Sequence, residues 1–284
     1  MLDLPATTEA EKAAASMKAW QIRFRKAAYS VPPGAIEITE PRRVFAELHP
    51  IDAADALAET TPQSRNSFTV VWIPPGASKS VNVERDLETW LYGGQVASKT
   101  AVRASVRTVR VFWNFSRALI YSSPENVGLA LDAVVRFTVA QCETIALESE
   151  MSSIWAAIES DARLTHSISG WQMGKQPHVN EMTMRTTRMK AKFLRITQAL
   201  EQLDPSLDNS SKRIYAELVL AGALYDRLEL LEDPVQFALD LYQTANTRLI
   251  EARFAQKEKR HAAMNDLLQV AIVVLLIYPL HLFW

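Results

Sequence analysis

The sequence predicts an α+β protein: a small N-terminal α/β layer followed by a bundle of long helices, the last of which continues into a single C-terminal transmembrane helix. Three observations support this prediction. Residues 31–122 contain short runs of β-branched and aromatic residues, the chain after them shows long helical patterns, and residues 267–284 carry no Lys, Arg, Asp or Glu. The first pattern is typical of strands and the second of helices.

The same patterns divide the chain into five segments. We expect an N-terminal helix in residues 1–30, a small α+β domain in 31–122, a helical bundle in 123–232, a stalk helix in 233–266 and a transmembrane anchor in 267–284. A chain of 284 residues is long enough for one or two domains with a substantial core.

Composition excludes several classes of function. The net charge is −1 and 22% of the residues are charged, so no strong field toward nucleic acid covers the whole surface. The single cysteine, Cys142, excludes an internal disulfide and a cysteine-based zinc site. Because Cys142 falls on the apolar stripe of a predicted helix, we expect a buried thiol.

The N-terminal third combines one predicted helix with short strands. Residues 7–29 are predicted to be helical, because Thr7 or Thr8 can cap a helix whose far end is basic. Strands are expected at residues 44–48, 68–73, 108–113 and 118–121, the last two forming a hairpin around 114–116, with helical spacing at 52–60 and 84–105. This mixture predicts helices packed on a mainly antiparallel sheet.

Long helices follow. Ser123 with Pro124 is a helix start, and the helical pattern then continues to about Asp161. Further helices are expected at residues 181–203, at 210–231 and from 233 onward, after a loop at 162–180. Asp233 and Pro234 give the last helix the signature of an N-cap and first turn.

The apolar run 267–284 decides the predicted location. Its eighteen residues give about 27 Å of helix, close to the ~30 Å hydrocarbon core of a bilayer. Cations precede the run and aromatic residues lie toward its far end, which predicts a single-pass protein of the bacterial inner membrane with a cytoplasmic N-terminal domain. The residues expected to flank the membrane are Lys257, Lys259, Arg260, Tyr278 and Trp284. A fully buried core helix is the alternative.

One predicted helix carries cations on a single face. The spacing i, i+3, i+7 and i+10 places four of them together: Arg185, Arg188, Lys192 and Arg195. Acids elsewhere in the chain could neutralise this face, namely Glu143, Glu148 and Glu150. Otherwise anionic lipid headgroups or RNA would bind it. A second basic run has the same ambiguity: Lys99, Arg103, Arg107 and Arg110.

No motif indicates catalysis. The sequence has no phosphate-binding loop and no nucleophile elbow, and its histidines lack ligand spacing. His166, near Asp161 and Glu159, is the one histidine that could work with a carboxylate, but a solvated helix end before a glycine-containing loop is the favoured explanation. We therefore expect no enzyme activity, no cofactor and no metal site.

Residues 262–268 (AAMNDLL), continuing to 278–280 (YPL), are similar to the entry of the first membrane helix in the CorA magnesium channel family. This resemblance implies an α/β domain, a helical bundle and one long helix into the membrane. It also implies a subunit related to divalent-cation transport as one possible function. The family's Gly-Met-Asn filter motif and second membrane helix would follow the first span, and the sequence stops at Trp284, so no pore residue is carried over.

The layout also resembles the "required for meiotic nuclear division" family, which has an α/β part, helices and a C-terminal membrane helix. The residues that carry this resemblance are 231–234 (LEDP), 241–242 (LY) and 249–253 (LIEAR). The two resemblances cover mainly residues 120–284 and are architectural.

The expected function is that of a non-enzymatic, tail-anchored scaffold or membrane-recruited interaction module. The alternatives are a CorA-like subunit without its own filter, or nucleic-acid or anionic-lipid binding through residues 185–195. The last helix carries an apolar seam at 3–4 spacing, formed by Val235, Leu239, Tyr242, Ala245, Leu249 and Ala252. Either the protein's own helices or copies of itself would cover this seam, and the second option predicts a homo-oligomer through the terminal helix.

Overall fold

The computed structural model describes residues 17–26, 33–58, 67–77, 81–92, 101–166, 172–205 and 207–282. The chain forms two compact units. The first comprises Met1–Glu148 and Lys192–Leu231, and the second comprises Ser149–Ala191 and Glu232–Trp284.

The first unit contains a seven-stranded sheet. Its strands are β1 (Lys18–Lys26), β2 (Ile36–Ile38), β3 (Val44–Ile51), β4 (Ser67–Ile73), β5 (Val102–Val106), β6 (Val109–Asn114) and β7 (Arg117–Tyr121). Their order is β2-β3-β1-β4-β7-β6-β5, and every pairing is antiparallel except that of β4 with β7. The α+β class and the mainly antiparallel sheet are confirmed.

The predicted hairpin is confirmed, since Asn114 pairs with Arg117 across its turn. The helix predicted for residues 7–29 is wrong over Lys18–Lys26, which form β1 between β3 and β4. Trp20, Ile22 and Phe24 alternate with polar residues, and this period of two suits a strand. Residues 7–16 and 27–29 lie outside the described residues.

Two short helices cover one face of this sheet. They are α1 (Ala53–Ala58) and α2 (Val81–Tyr92), which pack on Val71, Ile73 and Leu119. Strand β7 caps the end of α2, because Arg117 donates to the Trp90 carbonyl and stacks on its ring. A cation at a helix C-terminus also suits the helix dipole.

The remaining helices are long. They are α3 (Val127–Asp161), α4 (Gln176–Glu201), α5 (Asn209–Ala221) and α6 (Leu224–Leu282), with short 3₁₀ turns at Pro124–Asn126, Ala162–Thr165 and Gln172–Lys175. The predicted start at Ser123 with Pro124 in the first turn is confirmed, as is the end of α3 at Asp161. Trp113 of β6 donates to Thr138 Oγ1 of α3, which fastens α3 to the sheet.

Two local predictions about these helices are wrong. The last helix begins at Leu224, so Asp233 and Pro234 lie inside it, and the break falls earlier, at Gly222 and Ala223. Ala223 has φ 50°, a left-handed conformation that ends α5. Cys142, expected to be buried, is exposed.

The predicted transmembrane helix is also wrong. Over the described ranges, no helix combines the length and the apolarity that crossing a bilayer requires. Charged residues continue in α6 as far as Asp266, and the side chains are described to Val273. The charges up to Asp266 make the preceding part of α6 too polar for a bilayer core.

The predictions of a tail anchor and of a bacterial inner-membrane location depend on this helix and are wrong as well. The membrane-flanking roles predicted for Lys257, Lys259, Arg260 and Tyr278 have no span to flank, and Trp284 lies outside the described residues.

The second unit is built from three helical segments: the end of α3, the start of α4 and α6 from Glu232 onward. Their buried faces supply its core, which includes Met151, Ile154, Val179, Met182, Val235, Tyr242 and Leu249. Thr183 Oγ1 of α4 donates to the Tyr242 carbonyl of α6 at 3.3 Å, so a polar contact accompanies this packing.

Candidate functional site

The predicted basic face lies on α4, and Arg185 forms an ion pair within the chain. Arg185 donates to Ser153 Oγ at 2.7 Å, and its Nε lies 3.7 Å from Glu150. Arg188, Lys192 and Arg195 are exposed. Binding of anionic lipid or nucleic acid through Arg185, Arg188, Lys192 and Arg195 stays a prediction.

Two of the acids expected to neutralise the basic face are engaged elsewhere. Glu143 lies 2.9 Å from Arg42, and Glu148 accepts two hydrogen bonds from Arg227 at 2.7 and 2.6 Å. A bidentate guanidinium–carboxylate pair is a strong, oriented contact. The local spacing of the acids therefore did not reveal which arginine each one meets.

The second basic run is dispersed over the sheet. Arg103 of β5 donates to the Tyr92 hydroxyl at 3.1 Å and lies over the Phe112 ring. Arg110 of β6 lies over the Tyr121 ring. These contacts make both residues part of the sheet surface, while Lys99 lies outside the described residues.

The chain itself covers the apolar seam of α6 as far as Leu249. Val235, Tyr242, Ala245 and Leu249 are buried, and Leu239 is partly buried. Of the two options left open by the sequence, packing on the protein's own helices is therefore correct as far as Leu249.

Beyond Leu249 the environment of α6 changes. Every residue from Ile250 to Val273 is exposed except Ala252, which is partly buried. We call residues 250–273 the exposed segment. Its last ten residues carry six large apolar side chains that are 53–71% exposed: Met264, Leu267, Leu268, Val270, Ile272 and Val273. Contiguous exposed apolar surface marks an interaction site.

The exposed segment also carries charges of both signs. Its charged residues are Glu251, Arg253, Lys257, Glu258, Lys259, Arg260 and Asp266. Arg253 donates to the Met173 carbonyl at 3.3 Å, which holds the first turns of the segment to the 3₁₀ turn at Gln172–Lys175.

A buried carboxylate links three elements of the second unit. Asp161, at the end of α3, is 1% exposed. Its Oδ1 lies 3.1 Å from Lys175 Nζ, its Oδ2 lies 2.7 Å from His178 Nε2, and Tyr242 Oη donates to Oδ2 at 3.3 Å. Sequence reasoning paired Asp161 with His166, whereas the structure places His178 beside it.

The electrostatics of this cluster follow from its donors. Burial raises the pKa of the Asp161 carboxyl, but hydrogen bonds and charge from His178 and Lys175 outweigh burial and leave that pKa below its ordinary value. Burial and the adjacent Asp161 carboxylate raise the pKa of the Tyr242 phenol, so it stays protonated and donates. A carboxylate that is hydrogen-bonded to three donors on different elements holds those elements together. Because its oxygens are occupied, it is poorly placed to act as a general base.

The spacing of Lys175 and His178 is a signal that could have revealed this cluster. Residues three apart at a helix start lie on one side, and both carry donors that suit a buried acid. Across the described part of the chain, no group of three His, Cys, Asp or Glu side chains could hold a metal ion.

Comparison with known proteins adds little to this description. No protein-family model matches the chain, and no curated protein matches it. Among solved structures, the chain is similar to the full-length CmaX protein at 10% identity, over 90% of this chain and 82% of that one, with a TM-score of 0.30. A TM-score this low supports no conclusion about fold or function.

Proposed function

We propose that this protein is a non-enzymatic, self-associating interaction module whose copies pack through the exposed segment of α6. The observation that carries the proposal is the run of six exposed large apolar side chains between Met264 and Val273. The partner is a second copy of the same chain.

Helix stability supports this partner. The exposed segment is helical throughout, although its side chains have almost no cover within the chain. Most helical stability in proteins comes from packing an apolar face, and isolated helices in water are marginal. Packing between copies would supply the missing contacts.

The distribution of apolar residues around the helix indicates how many neighbours each copy needs. At 100° per residue, the six large apolar side chains span an arc of about 260°, and the narrow polar strip opposite holds Asn265 and Gln269. A face that packs on one neighbour is about 100° wide. Each helix therefore needs at least two neighbours, which favours a bundle of three or more copies.

The energies favour the same conclusion. Full burial of each large apolar side chain contributes about 1.5–3 kcal/mol, so six that are roughly half exposed offer about 5–9 kcal/mol per copy. A pair of helices covers about half of that surface and gains about 5–9 kcal/mol in total, within the ~4–15 kcal/mol that association costs. A bundle covers nearly all of it, so the gain grows with each added copy.

The charges of the segment are compatible with self-association. Glu251, Glu258 and Asp266 can meet cations of a neighbouring copy, among them Lys257 and Arg260. Such exposed pairs contribute little energy each, but they disfavour registers that place like charges together.

Sedimentation velocity of the full chain over a range of concentrations tests the proposal. We expect wild type to form a trimer or larger species, and the double variant Leu268→Glu with Ile272→Glu to be monomeric. The matched control, Asn265→Glu with Gln269→Glu, adds the same charges at the same spacing within the polar strip and should still associate. A monomeric wild type, or equal dissociation of both variants, would refute it.

Cross-linking locates the contact independently. Cysteines at Ala263 and Ala271, in a Cys142→Ala background, lie within the apolar arc of the exposed segment and should form disulfides between copies. A cysteine at Asp233, an exposed position near the start of the buried seam, provides the control for accidental collision. Equal cross-linking at all three positions would show that the segment is not the interface.

A further inference from the structure

The hairpin formed by β5 and β6 carries three exposed arginines: Arg103, Arg107 and Arg110. We call them the hairpin patch. Residues 89–124, which include the hairpin, contain no Asp or Glu. Arg103 lies opposite Phe112, and side chains two residues apart on a strand share a face, so Arg103 and Arg110 are on the same face of the sheet.

The surroundings of the patch leave it cationic. The residues opposite Arg110 in the sheet are the uncharged Ser105 on β5 and Tyr121 on β7. Helix α2 carries three acids and one arginine, and one of these acids, Glu88, lies 3.7 Å from Arg103. The side chains of this pair are 45% and 59% exposed. Exposed ion pairs are weak and screened by salt, so an anionic partner can compete for Arg103.

Two aromatic rings hold the arginines of the shared face. Arg103 Cζ lies 5.5 Å from the centroid of the Phe112 ring, and Arg110 Cζ lies 5.0 Å from that of Tyr121. The two rings meet edge to face with their centroids 5.6 Å apart. Arg103 also donates from Nη2 to the Tyr92 hydroxyl at 3.1 Å. The two guanidinium groups are therefore held side by side above one pair of rings.

This arrangement fits a partner that offers both phosphates and bases. A guanidinium that lies over a ring keeps N–H groups at its edge for phosphate oxygens, and its outer side can take a nucleobase. Single-stranded nucleic acid presents both groups, because its bases are not enclosed in a duplex. An anionic lipid headgroup offers charge without a base. The arginine–ring pairs therefore favour a single strand over a lipid surface.

We propose that the hairpin patch binds single-stranded nucleic acid. Arg103 and Arg110 donate to backbone phosphates, and bases stack on the outer sides of their guanidinium groups. Arg107, in the turn between the two strands, adds electrostatic attraction for the backbone. All three residues belong to the first unit, and their binding does not depend on self-association through α6.

Fluorescence anisotropy of labelled strands with the full chain tests the proposal at several salt concentrations. The strands are a uridine 12-mer and an abasic 12-mer of equal charge. We expect the uridine strand to bind saturably and about tenfold more tightly than the abasic strand, since stacking adds to the phosphate contacts. Equal affinities would show that only charge is sensed. That result, no saturable binding, or sedimentation of the protein with phosphatidylserine vesicles but no binding of the strands would overturn the proposal.

Matched variants separate the stacking from the charge. Arg110→Lys keeps the charge and removes the planar group, so affinity should fall about fivefold with an unchanged salt slope. Arg103→Lys should act in the same direction. Arg110→Ala removes a phosphate contact and should also lower the slope of log affinity against log salt by about 0.7.

Arg43 supplies the control for these variants. It also lies over a ring, that of Phe45 at 6.0 Å, but it is paired with Glu37 at 2.9 Å near the opposite edge of the sheet. Arg43→Lys should leave affinity and salt slope unchanged, and thermal unfolding checks that each variant is folded. Equal losses from Arg43→Lys and Arg110→Lys, or wild-type binding by both lysine variants of the patch, would refute the assignment.

Discussion

Replacing Asp161 by Asn should lower the free energy of unfolding of the second unit. The carboxylate is 1% exposed and lies within 3.1 Å of Lys175 Nζ and within 2.7 Å of His178 Nε2. Hydrogen bonds to a charged group contribute about 1.5–3 kcal/mol each when buried. The Lys175 and His178 side chains are 46% exposed and can regain water, so we expect a total loss of about 2–3 kcal/mol.

The effect should depend on pH in a defined direction. Because the pKa of Asp161 in the folded protein lies below its ordinary value, its contribution to stability is fully present above the unfolded pKa of about 4. That contribution is lost as the pH falls through the lower folded value. The difference between wild type and Asp161→Asn should therefore shrink on acidification below about pH 4.

Urea unfolding followed by circular dichroism gives the free-energy difference at each pH. Native-state hydrogen exchange on the helices of the second unit should accompany it, because two units need not unfold together. Asp233→Asn makes the same chemical change at an exposed position of α6 and serves as the control. A difference that stays constant across pH, or one no larger than that of Asp233→Asn, would refute the reasoning.

Two further variants test local packing in the first unit by thermal unfolding. Asp208 caps α5 by accepting from the Ser210 amide at 2.7 Å, so Asp208→Ala should cost about 0.5–2 kcal/mol, whereas Asp208→Ser should keep most of the stability. Gly222→Ala should destabilise by about 1–3 kcal/mol, since its new methyl group would lie 2.9 Å from Leu224 Cδ1 and 3.0 Å from Phe137 Cζ. Greater stability of Gly222→Ala would show that these neighbours move aside.

Several elements were predictable because their signals are local. The hairpin of β6 and β7 has runs of β-branched and aromatic residues on both sides of a short turn, and α3 has a Ser-Pro start and a continuous apolar stripe. The prediction of β1 failed because its apolar residues alternate over only a few positions. The basic residues of the same stretch also suit the C-terminal end of a helix, and they favoured the wrong assignment. The start of α6 was misplaced because Pro234 usually marks a first turn, whereas here the left-handed Ala223 ends the preceding helix.

The two candidate sites differ in how far they could be predicted. The apolar run in the exposed segment is visible in the sequence as an unbroken stretch, although its reading as a membrane span was wrong. The buried cluster around Asp161 was less predictable, since Lys175, His178 and Tyr242 belong to other elements than Asp161.

The sequence by itself determined the α+β class, most strands of the sheet and the position of the long helices, because each depends on periodicity within about ten residues. Only the tertiary structure decided which charges meet: Glu148 with Arg227, Arg136 with Asp204, and Asp161 with His178. It also decided that α6 is packed as far as Leu249 and that residues 250–273 are exposed apart from the partly buried Ala252. These pairings depend on how distant segments pack, and a single sequence carries no local signal for that.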